Sequence, residues 1–136
     1  MRNTLFVVFL LASPALAGEP ASDPSRAFTG TWKGTSTCTN REVTPGCKDE
    51  VVVYDVKPDK PGAVTLKGDK IVNGERLWMG DLPFTWDAER KEWISRFDGG
   101  RVQVIWHLRV DGDTLTGTLE HLPEKVVVRR VAAKRG

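Results

Sequence analysis

Apolar and polar residues alternate along most of this chain. In RVQVIWHLRV, the series Val102, Val104, Trp106, Leu108 and Val110 interleaves with Arg101, Gln103, Ile105, His107 and Arg109. TWKGTSTC sets Trp32, Gly34, Ser36 and Cys38 against Thr31, Lys33, Thr35 and Thr37, and EWISRFD sets Trp93, Ser95 and Phe97 against charged residues and Ile94. A period of two puts one set on each face of a β-strand, so each strand has an apolar face and a wet one. The pattern predicts strands over Thr29–Cys38, Cys47–Lys57, Ala63–Val72, Glu75–Gly80, Pro83–Asp87, Glu92–Asp98, Arg101–Val110, Thr114–His121 and Lys125–Val131. Asn73-Gly74, Asp98-Gly99-Gly100 and Asp111-Gly112-Asp113 between them are turn signals for tight antiparallel hairpins. No segment carries a sustained helical rhythm.

Eight or nine amphipathic strands joined by tight turns cannot lie flat without exposing two edges. Closing into an antiparallel up-and-down barrel removes the edges and buries the apolar faces together. An all-β barrel is therefore the expected fold. A two-sheet sandwich is the alternative, but the long crossing connections it needs are not evident. One stretch, LWMGDLPFTW, breaks the alternation, with apolar residues on both parities.

Residues 1–17 have the layout of a secretory signal peptide: Arg2, an apolar run, then Ala15-Leu16-Ala17. The polar, proline-bearing residues 18–27 read as a flexible leader, and 28–136 as a single barrel domain. Export changes the meaning of the two cysteines. Cys38 and Cys47 flank a short polar loop with a Thr-Pro-Gly turn, and in an oxidising compartment they are expected to pair. The formal net charge of +2, with both signs interspersed, gives no basis for a nucleic-acid partner. No integral membrane segment is expected in the mature chain, which is read as periplasmic or extracellular.

Gly30-Thr31-Trp32 at the start of the first strand resembles the Gly-x-Trp element of the calycin group, the lipocalins and their small relatives. The resemblance implies a barrel whose tryptophan, Trp32, plugs the closed end, with a basic residue of the last strand stacked across it. Arg129 or Arg130, in VVVRR, is the matching candidate. The same first strand is superficially similar to avidins, but Lys33, Gly34 and Thr35 stand where that group contacts biotin. Small periplasmic metalloprotease inhibitors also use a one-disulfide barrel and act through an N-terminal leader.

Alternation also nominates a site. Glu50, Lys70 and His121 fall in register with inward apolar rows, as does Tyr54, and would give an apolar lumen a polar end. Trp93 and Trp106 join that lumen, while Trp78 and Trp86 flank the irregular stretch, which could form a lid or a contact surface. Small inward residues (Gly34, Ser36, Gly68, Ser95 and Gly117) suggest open volume. No nucleophile elbow, phosphate loop or metal-spaced ligand set occurs, so no cofactor, metal or catalytic residue is implied. The expected function is binding of a small hydrophobic or amphipathic ligand. A protein-binding or inhibitory barrel acting through loops or its leader is the alternative, and an enzyme stands well behind both.

Overall fold

The computed structural model describes residues 23–136, so the expected signal peptide and the first part of the expected leader lie outside the described residues. One helical turn, α1 (Ser25–Phe28), precedes eight strands: β1 (Gly30–Cys38), β2 (Glu50–Pro58), β3 (Ala63–Val72), β4 (Glu75–Asp87), β5 (Glu92–Asp98), β6 (Gln103–Asp111), β7 (Thr114–Leu122) and β8 (Val126–Arg135). Each strand pairs antiparallel with the next, and β8 returns to pair with β1, closing the barrel. The turn signals serve as expected: Asn73 and Gly74 both have positive φ, at 52° and 80°, and join β3 to β4 with two residues.

The runs Glu75–Gly80 and Pro83–Asp87 are one strand of 13 residues. A β-bulge joins them, since Gly68 pairs with Gly80 but Asp69 pairs with Trp78. Met79 is the extra residue, and it resets the parity. The alternation of LWMGDLPFTW is shifted rather than absent. β4 and β5 pair over only three residues, Thr85–Asp87 with Glu92–Ile94. Beyond them, toward the mouth, the two strands carry no mutual pairing among the described residues.

The core fills one half of the barrel. Trp32, Trp93, Phe28, Phe84, Leu108, Leu115 and Val52 are essentially inaccessible to solvent. Phe28 projects from α1 into this cluster, its ring 6.0 Å from Phe84 and 5.2 Å from Trp93. Ser25, also on α1, is buried, so the described part of the leader is folded onto the barrel rather than free. Burying aromatics of this size, with tilted and edge-on packing, dominates the stability of such a small core.

Two glycines bring strands together rather than opening space. A Cβ at Gly34 would collide with the Ala132 carbonyl of β8, and one at Gly117 with the His107 carbonyl of β6. Their expected contribution to a cavity is therefore corrected. Cys38 and Cys47 form a disulfide, with Cα atoms 6.1 Å apart, closing the β1–β2 loop. Within that loop Asn40 accepts bonds from the Glu42 and Val43 amides.

Candidate functional site

The closed end is built around Trp32. Its indole Nε1 donates to the Phe28 carbonyl at 2.9 Å, and the guanidinium of Arg135 lies 4.3 Å from its ring centroid. The same guanidinium donates to the carbonyls of Thr29 (2.9 Å) and Ala27 (2.6 Å). One side chain thus covers the plug and satisfies carbonyls at the end of α1 and just beyond it. The stacking arginine is Arg135, not Arg129 or Arg130. Strand β8 runs to Arg135, and its register sets Trp32 opposite Arg135 while Arg129 lies opposite Cys38. Six residues of strand separate the two arginines, roughly 20 Å.

Arg129 instead serves the open end. There the barrel holds a cup of about 260 Å³, lined by Ser36, Glu50, Tyr54, Leu66, Gly68, Met79, Gly80, Leu82, Trp106 and Arg129. Below Tyr54, around Phe84 and Leu108, only about 20 Å³ remains. The lumen is open above and packed below. Leu66, Met79, Leu82 and the Trp106 ring give the cup apolar walls. A polar arc occupies one side: Arg129 Nη2 is 3.6 Å from Glu50 Oε1, and Nη1 reaches Ser36 Oγ at 3.2 Å. Arg129 also donates to the Lys48 carbonyl at 2.9 Å, so its head is fixed in position from three directions.

Tyr54 stands at the floor of this arc. Burial pushes its phenol well above the ordinary range, and the charge of Glu50 adds to the rise, while Arg129 and a hydrogen bond with Ser36 oppose it. The hydroxyl is consequently neutral at physiological pH and can donate to a ligand. Gly68 is the glycine that provides room here. A Cβ on it would meet Tyr54 Cδ1, Leu66 Cδ2 and the Gly80 carbonyl at ordinary contact distances of 3.7 Å.

The architecture has a solved counterpart. The chain is similar to a redesigned β-barrel, with 15% identity over 84% of this chain and 96% of that one, at a TM-score of 0.57. At that identity the likeness shows the fold alone. The chain is a closed eight-stranded antiparallel barrel. No family model matches it. No curated protein matches it either.

Within this barrel the residues nominated from sequence fall into three places. Glu50, Tyr54 and Trp106 meet in the cup, joined by Arg129. Lys70 and His121 sit outside it, at the rim. Lys70 lines a shallow depression with Glu50 and Lys48, and His121 Nδ1 is bonded to Glu124 Oε2 at 2.6 Å. Trp93 and Trp86 belong to the closed half, their rings 5.3 Å apart. Trp78 is 65% exposed on the outer surface, its Nε1 donating to Asp81 at 2.9 Å. The bulge explains the exchange at β4: it turns Met79 into the cup and Trp78 outward. Arg129 as a cup residue escaped the sequence reading because it was assigned to the opposite end. Its inward parity with Val131 was the available signal.

Proposed function

We propose that the protein is an exported binding barrel of calycin type that takes a small hydrophobic or amphipathic ligand in the cup at its open end. The observation that carries this reading is the half-filled lumen. Apolar walls from Leu66, Met79, Leu82 and Trp106 face a fixed polar arc of Arg129, Glu50 and Ser36, the combination that holds an apolar body and orients a polar head. The volume lies just under the roughly 300–1,000 Å³ of drug-sized pockets, so the ligand is a compact one. The Trp32–Arg135 stack supports the calycin kinship, and the disulfide accords with export. Among the described residues no helix is long and apolar enough to cross a membrane.

The test is titration with medium-chain fatty acids and small aromatic alcohols, followed by quenching of tryptophan fluorescence. Saturable binding is expected, and Gly68→Leu, which projects a side chain into the cup, should abolish it while the fold persists. Native mass spectrometry of protein purified without detergent checks for a resident ligand. A bare mass together with no binding of any probe would sink the reading.

One feature favours a second reading. Leu77, Trp78, Met79, Phe97 and Val102 are exposed large apolar residues, all on the β3–β4 and β5–β6 hairpins at the open end. A protein partner docking on those hairpins is the function that remains if the cup binds nothing.

A further inference from the structure

The outer wall of the barrel carries a second concavity, unrelated to the cup. A groove of about 770 Å³ crosses the outside of β5 to β8, lined by Arg90, Glu92, His107, Arg109, Thr116, Gly117, Thr118, Arg130 and Ala132 among others. Its shape follows from sequence. Gly117 has no room for a Cβ because β7 lies hard against β6, and the floor is made of Thr116, Gly117, Thr118 and Ala132. Long side chains stand at both margins. His107, Thr118 and Arg130 form one row across three paired strands, and Arg109, Thr116 and Ala132 form the next.

The charges in this groove are ordered in an unequal way. Glu92 is the single carboxylate lining it, and its side chain is only 6% exposed. Its Oε1 lies 2.7 Å from His107 Nδ1 and 4.0 Å from Arg90, and its Oε2 accepts from Arg109 Nε at 3.3 Å. Nδ1 is therefore the ring nitrogen that pairs with the carboxyl group. Glu92 is thus enclosed by the groove wall and acts as the anchor that orients it. Three guanidiniums face one carboxylate, an excess of two positive charges before the imidazole is counted. Arg130 has no carboxylate within salt-bridge distance among the described residues. Glu120 lies in the following cross-strand row, opposite Ile105, and does not line the groove.

We propose that this outer groove is a binding site for an oxyanion group, the charged part of a phosphate ester or a carboxylate-bearing ligand. Each guanidinium presents five N–H donors in a planar fork, of which Glu92 occupies few. The threonine hydroxyls of the floor add donors that, among the described residues, no protein anion satisfies. Like-charged side chains brought together over a small-residue floor are stabilised by a bound anion, whose chemistry matches the bidentate geometry of arginine.

The experiment is a two-dimensional amide NMR titration of the intact protein with inorganic phosphate, and separately with acetate. Saturable shifts centred on Thr116 to Thr118 and Arg130 are expected. Tighter binding of phosphate assigns a phosphate-type ligand, and tighter binding of acetate a carboxylate. Arg130→Gln, at an exposed position whose side chain makes no ion pair among the described residues, should weaken binding about tenfold without loss of fold. Thr118→Val should weaken it less. Absence of saturable shifts with either anion, or unchanged binding in folded Arg130→Gln, overturns the proposal. Neither result bears on the cup, which opens inside the barrel.

Discussion

At the residue scale, Arg129 and Arg135, roughly 20 Å apart along β8, divide the work of the two barrel ends. Arg135 stacks on Trp32 and caps two carbonyls. Replacing Trp32 with Ala should cost about 3–5 kcal/mol. Arg135→Gln should cost about 1–3 kcal/mol, whereas Arg130→Gln should stay within about 0.5 kcal/mol. Denaturant unfolding of the two single variants and the double variant should show that the Trp32 and Arg135 effects do not add. Additivity would mean that the stack contributes nothing to closure. Tyr54 gives a second residue-scale expectation. Its phenol is raised mainly by burial, so the folded state favours the protonated form. The stability it contributes is fully present below the ordinary phenol range of about 10, and is lost as pH rises through the folded-state value. As the chain has one tyrosine, phenolate absorbance reports this group alone. Its appearance should coincide with alkaline unfolding, and Tyr54→Phe should remain folded to higher pH.

At the element scale, the strands were legible and the joins between them were not. Alternation located every strand, because half-buried sheet imposes period two on the residues themselves, and the expected export with the short Cys38–Cys47 loop predicted the disulfide. Alternation split β4 because a single inserted residue, Met79, reverses parity, and a parity change looks the same as a chain break until the partner strand is known. It ended β8 at Val131 because Ala132-Ala133-Lys134 has little intrinsic strand preference. The pairing of β8 with β1, set by Ala133 opposite Gly34, overrides that preference. Part of the site was legible in the same way. Glu50, Tyr54 and Trp106 were found from parity alone, while Arg129 required knowing which end of β8 lay at the mouth. The small residues show why parity is not enough: Gly34, Gly68 and Gly117 share an inward parity but differ in what lies beside them. Gly34→Ala and Gly117→Ala should each destabilise the barrel by about 2 kcal/mol or more, by forcing paired backbones apart. Gly68→Ala should be nearly neutral. Thermal melts of the three variants separate these outcomes, and equal losses at all three positions would contradict the contacts described.

At the scale of the whole molecule, the barrel is a closed ring with one incomplete seam. Seven pairings run the length of their strands, while β4 and β5 hold together over three residues at the closed end. The parted strands flank the cup, whose wall on that side is Met79, Gly80 and Leu82. An unpaired strand margin is a template on which a second chain can add itself, and a barrel ordinarily avoids that hazard by having no margin. Here Pro83 falls within the part of β4 that β5 leaves unpaired, and a proline has no N–H to offer. An added chain would find no ladder donor at this position. Pro83→Val restores the missing donor to a β-favouring side chain, and should leave the monomer's unfolding midpoint little changed while promoting concentration-dependent oligomers in light scattering. A Pro83→Val protein that stays monomeric at high concentration would show that the parted strands are guarded by something other than this residue.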